Sequence, residues 1–147
     1  MLSSACQYAI KACIYLSTKA VGYPLIGLKE IAEAIDSPPP YTAKILNTLV
    51  REKLLDSGRG PHGGFVLAKE PENIRIIQII DAIEGKDRFR TCLLGEELCC
   101  GKSPCAIHEQ FHPVREHLLK VFNNTLLSDL NRGQYDQIIE QEAELTV

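Results

Sequence analysis

Residues 59–65 read RGPHGGF, and three glycines with a proline in seven positions interrupt any regular helix or strand. The flanks decide what this stretch joins. Residues 54–57 (LLDS) ahead of it and 64–68 (GFVLA) behind it are short apolar segments, a pattern that predicts a β-hairpin with a long loop. A phosphate-cradling glycine loop would instead lie between a strand and a helix and end in Gly-Lys-Ser/Thr. This loop joins strand to strand without that ending, so it is not a nucleotide-binding loop.

Helical patterns precede the hairpin. Residues 3–20 carry Ala5, Ala9, Ala12, Cys13, Leu16 and Ala20 at helical spacing, with Gly22 and Pro24 to stop the run. GLKEIAEAID (27–36) puts Leu28, Ile31, Ala32 and Ile35 on one face of a short second helix. Ser37 before Pro38 reads as a side-chain cap followed by a first-turn proline. The helix it opens, YTAKILNTLVREK (41–53), turns Ile45, Leu46, Leu49 and Val50 inward and Tyr41, Thr42, Lys44, Asn47 and Arg51 outward. After the hairpin, NIRIIQIIDAIEG (73–85) is a buried helix with Gly85 as its C-terminal cap. Three helices and then a two-stranded hairpin is the order of a winged helix-turn-helix, whose third helix enters the major groove. The fold class expected is mainly α with a small β-hairpin wing.

A chain of 147 residues is one domain's worth. No apolar run approaches the roughly 20 residues that span a bilayer. MLSSACQYAIKACIYLS has no basic stretch ahead of its apolar residues, so no signal peptide is expected, and the cytoplasm is the expected location. Structural disulfides are not expected there. The net charge of −3 is uneven: residues 1–90 sum to +2 and residues 91–147 to −5. Within 37–69, Lys44, Arg51, Lys53, Arg59 and Lys69 face only Glu52 and Asp56, so an acidic total does not exclude a DNA-binding face.

Of six cysteines, Cys6 and Cys13 fall on one face of the first helix and read as buried free thiols. The other four, Cys92, Cys99, Cys100 and Cys105, lie within fourteen residues, and His108 completes Cys-x-x-His. Thiolates suit zinc or an iron–sulfur cluster, and an imidazole can replace one thiolate on either. Ser103-Pro104 opens a new helix, which would put Cys105 and His108 a turn apart on one face. His112 competes with His108 for the fourth position, and Pro113 beside it should kink the helix. A metal-free thiol switch at Cys99-Cys100 is the other reading of the cluster. His62 reads as wing and His117 as surface.

Together, YAIKACIYLS, SPPPYTAKILNTLVREKLL, SGRGPHGGFVLAK, the cysteine loop and KVFNNTLLSDL resemble the IscR/NsrR/CymR family of bacterial transcription regulators over residues 1–131. The resemblance implies a homodimer whose long C-terminal helix crosses its partner's, reading the half-sites of an imperfect palindrome in double-stranded DNA. Here the run Ile107, Phe111, Val114, Leu118, Leu119, Val121 and Phe122 would supply that interface. By position, the implied DNA contacts are Ser37, Tyr41, Thr42 and Lys44 at the recognition helix and Arg59, Gly60 and Pro61 in the wing. Ala43 stands where some members carry an acidic residue.

Cluster-binding members hold iron with three cysteines and a variable fourth ligand. Cys105-Ala106-Ile107-His108 matches the histidine-ligated branch, whereas Gln7 stands where another branch has an aspartate. The resemblance thus favours [2Fe–2S] over [4Fe–4S], on Cys92, Cys99, Cys105 and His108, with zinc as the alternative. Six residues separate Cys92 from Cys99 where five are usual in the family, so Cys100 stays open as the middle ligand.

The implied division is 1–86 winged helix-turn-helix, 87–105 cysteine loop, 106–131 dimerisation helix and 132–147 acidic tail. The implied function is a transcription regulator sensing cluster status, redox state or nitric oxide. The competing class is an electron-transfer protein on a winged-helix scaffold. No catalytic constellation is present, and no enzyme is expected.

Overall fold

A computed structural model describes residues 1–19, 24–94 and 104–131. Helix α1 (Ser4–Ser17) is opened by Ser3, whose side chain accepts a hydrogen bond from the Cys6 backbone N–H at 3.2 Å. Its buried stripe includes Cys6, Ala9, Ala12, Cys13 and Leu16. The small side chains at 9 and 12 bring the helix close to α4 (Ile76–Glu84), which buries Ile76, Ile77, Ile79 and Ile80. Helix α1 ends at Ser17, with Thr18 as its C-cap, short of the expected run to Ala20; Gly22 lies outside the described residues.

Helix α2 (Leu28–Ala34) ends in a turn at Asp36, which adopts φ +51° and lets the Ser37 N–H reach the Ala32 carbonyl at 3.0 Å. Helix α3 (Pro39–Arg51) follows. Its prolines at the first two helical positions preset φ and lack the N–H groups that a cap would serve. The expected cap at Ser37 is accordingly not made: Pro38 holds the N-cap position, and the Ser37 hydroxyl is buried without a hydrogen-bond partner.

Strands β1 (Leu55–Gly58) and β2 (Gly64–Leu67) pair antiparallel, Leu55 opposite Leu67 and Gly58 opposite Gly64. Ile26 adds a single bridge to Phe65, with N–H···O bonds of 2.9 and 2.8 Å in the two directions. This bridge clamps the hairpin to the linker ahead of α2. A Cβ at Gly64 would run into the Ile26 carbonyl, which explains the glycine.

The expected continuous helix over 106–131 is divided. Helix α5 (His108–Asn124) runs uninterrupted through Pro113, and Thr125 and Leu126 are extended before a one-turn helix α6 (Leu127–Leu130). Leu126 bridges Arg75, the Leu127 N–H bonds the Ile74 carbonyl at 2.8 Å, and the Leu127 side chain is fully buried in the core. The chain after α5 therefore returns to the winged domain. The tail beyond residue 131 lies outside the described residues, as do 95–103.

Candidate nucleic-acid interface and cysteine site

Helix α3 exposes Tyr41, Lys44, Asn47 and Arg51. The Tyr41 ring stands edge-on to Tyr8 of α1, centroids 5.9 Å apart, which anchors the start of this face to the core. Thr42 does not belong to it. It is fully buried, and its hydroxyl donates to the Pro38 carbonyl at 3.1 Å. The reason is spacing: Thr42 precedes Ile45, Leu46 and Leu49 by three, four and seven residues, so it continues their inward stripe. Ser37 is also buried, while Arg59, Gly60 and Pro61 are exposed at the hairpin tip. The tip closes through a hydrogen bond from the Gly63 N–H to the Gly60 carbonyl at 2.9 Å, with Gly60 at φ +99°, a conformation that favours glycine.

Two groups of cysteines differ in character. Cys6 and Cys13 are fully buried, and burial pushes each thiol up to about 12, with the Glu84 carboxylate adding to the effect at Cys6. Such thiols stay protonated and unreactive near neutral pH. Cys92 and Cys105 are half-buried. Cys105 lies ahead of α5 rather than within it, because the helix starts at His108 and not at Ser103-Pro104. A turn joins the two, the His108 N–H bonding the Cys105 carbonyl at 3.0 Å.

Among the described residues no three Cys, His, Asp or Glu side chains converge on one point. Cys99 and Cys100 lie outside the described residues, so the choice of middle ligand falls there too. The donors that are described suit a thiophilic metal or cluster: a thiol and an imidazole at the N-terminal end of a 17-residue helix, whose dipole favours a thiolate.

The geometry also separates the two histidines. His112 stacks on His108, rings 5.0 Å apart, and its Nδ1 lies 2.6 Å from an Arg115 guanidinium nitrogen. A guanidinium only donates, so Nδ1 must accept and the ring proton must sit on Nε2. While this bond stands, His112 has no lone pair to offer a metal. The Gln7 amide donates to the Leu2 carbonyl at 3.0 Å.

Along α5, Ile107, just ahead of the helix, and Val114 and Val121 within it are exposed at intervals of seven, with Phe111 and Leu118 half-buried between them. This is the a/d spacing of a helix-pairing seam. Phe122 instead turns toward Phe89, centroids 5.5 Å apart. Sequence reading missed Arg115, a charged residue only 4% exposed on this otherwise amphipathic helix, because nothing in the pattern distinguishes it from a surface arginine. No helix among the described residues is long and apolar enough to cross a membrane.

Residues 2–133 match the family model described as Rrf2, iron-dependent transcriptional regulator. The chain is 31% identical over 132 residues to a proposed HTH-type transcriptional regulator of Aquifex aeolicus, covering 88% of this chain and 90% of that one. It is 27% identical to the HTH-type transcriptional regulator IscR of Klebsiella pneumoniae, covering 90% and 80% of the two chains. The solved structure of CymR, the global cysteine regulator of B. subtilis, is similar with a TM-score of 0.72 and 28% identity, covering 89% of this chain and 95% of that one.

Proposed function

The chain belongs to the Rrf2 family of DNA-binding transcriptional regulators, which are not enzymes, and on that premise we propose that it is a homodimer whose hold on DNA is set by a [2Fe–2S] cluster. The observation that carries this reading is the turn that joins Cys105 to His108 at the start of α5, with Cys92 half-buried on the segment ahead of the cysteine loop. Cys99, or Cys100, completes the ligand set. When bound, such a cluster supplies a tie between these side chains that oxidation, nitric oxide or iron shortage can break.

The protein's own part is mechanical. Drawing Cys92 toward Cys105 and His108 fixes the N-terminal end of α5. The C-terminal end is already held, because Leu127 is buried in the winged-domain core. A helix anchored at both ends, and pairing with its partner through Ile107, Val114 and Val121, sets the distance between two winged domains. That distance selects the half-site spacing on an imperfect palindrome. Tyr41 and Lys44 then read the major groove, and Arg59, with Gly60 and Pro61, enters the minor groove. The buried Thr42 and Ser37 are not part of this contact set.

The likeness to CymR supports a second reading, in which the same loop acts as a metal-free thiol switch sensing sulfur status. Zinc on the same donors is a third. One experiment separates them: anaerobic purification with an absorption spectrum and iron, sulfide and zinc analysis. About two irons and two sulfides per chain are expected, abolished by Cys92→Ala, Cys105→Ala and His108→Ala but retained by His112→Ala. A colourless chain that takes up neither iron nor sulfide on reconstitution overturns the cluster reading. Stoichiometric zinc supports the third.

A further inference from the structure

Between α5 and the segment 88–93 lies a cavity of about 460 Å³. Its walls include Phe89, Phe111 and Leu118, and its polar residues include Thr91 and Arg115. Volume and an apolar lining with few convergent polar groups are those of a small-molecule site.

Arg115 makes the cavity selective. Its side chain is 4% exposed, yet among the described residues its Nε–H has no hydrogen-bond acceptor, and one terminal nitrogen is committed to the imidazole of His112. Its described ion-pair partner, the Glu116 carboxylate, stands 3.7 Å from a terminal nitrogen, beyond hydrogen-bond reach and more than half exposed, so it does not serve Nε. The other arginine at the cavity, Arg88, is 52% exposed and paired with Glu84 at 3.5 Å. Among the described residues no acidic side chain lines the cavity. A buried guanidinium whose described ion pair is loose and lies on the solvent side keeps an unused Nε–H beside a largely apolar cavity, a place for an anion carried on an apolar body.

We propose that this cavity binds a small aliphatic or aromatic carboxylic acid, its carboxylate accepting from the Arg115 Nε–H and its apolar body lying against Phe89, Phe111 and Leu118. The site is distinct from the cysteine site, though Cys92 borders both, and it does not rest on the cluster reading.

The test uses the full chain, with and without prior chelator treatment, and isothermal titration with hexanoate, phenylacetate and hexan-1-ol. Hexanoate and phenylacetate should bind at least tenfold more tightly than the alcohol, and Arg115→Gln should abolish that preference. Because a variant at a buried position can fail to fold, a second readout uses the wild-type protein alone. The Arg115 Nε–H cross-peak in a ¹⁵N–¹H spectrum should shift with hexanoate and not with hexan-1-ol. Equal binding of acid and alcohol, absence of binding at millimolar concentration (the result if a partner chain fills the cavity), or an unmoved Nε–H signal would overturn the proposal.

Discussion

Gly64→Ala tests how the wing is held. The added methyl must occupy space taken by the Ile26 carbonyl, which is backbone and cannot rotate away. Relief requires the hairpin to separate from the linker ahead of α2, breaking the two Ile26–Phe65 hydrogen bonds of 2.9 and 2.8 Å. At about 1 kcal/mol net for each, the loss is about 2 kcal/mol. For a domain of this size that corresponds to roughly 6–8 °C in Tm. The consequence extends beyond stability, because the bridge fixes the direction of the hairpin that carries Arg59. Affinity for a selected DNA sequence should fall with stability, while iron content and spectrum stay at wild-type values. Thermal melting with fluorescence anisotropy on labelled DNA measures both, with His62→Ala as the control, an exposed tip residue expected to shift stability by less than about 0.5 kcal/mol. A Gly64→Ala protein that melts with wild type and binds DNA equally well would show that the Ile26–Phe65 bridge does not hold the wing.

Other outcomes follow from the same geometry. Lys44→Ala and Arg59→Ala should each weaken DNA binding and, where the lost contact is to phosphate, reduce the salt slope by about 0.9, leaving the spectrum unchanged. Thr42→Val should cost no more than about 1 kcal/mol, since the Pro38 carbonyl keeps the Thr42 N–H at 2.9 Å, and should leave the preferred DNA sequence unaltered in a selection experiment; a changed preference would return Thr42 to the groove. The Cys6 and Cys13 thiols give stability a pH dependence with a definite sign. Their protons are held in the folded chain up to about 12 and released near 9 when it unfolds, so their contribution is complete below pH 9 and is lost as pH rises toward 12. Urea midpoints from pH 8 to 11 should fall in wild type and fall less steeply in Cys13→Ala.

Most of the winged domain was legible because each element carries its own local signal. The apolar stripes of α2 and α4, and the glycines flanking the hairpin, depend on residues close in sequence. The departures arise where one local rule masks another. Ser37 before a proline has the form of a cap, but successive prolines remove the donors that a cap would bond. Thr42 is polar and sits at a helix start, yet its three- and four-residue spacing to Ile45 and Leu46 places it in the core. Long-range features gave no signal at all. The return of Leu127 into the core, the bridge from Ile26 to Phe65 and the burial of Arg115 are each made by segments distant in sequence. The candidate ligands, by contrast, were legible from composition alone, because four cysteines in fourteen residues need no fold to be noticed.

If the cysteine site governs DNA binding through α5, loss of iron must register on DNA. Affinity for a DNA sequence enriched by selection is measured on the same anaerobic preparation before and after removal of iron by a chelator. Affinity should change at least tenfold, or a different sequence should be enriched, and neither change should occur in His108→Ala. Identical binding curves for the iron-loaded and stripped protein would contradict control of DNA binding by the cysteine site.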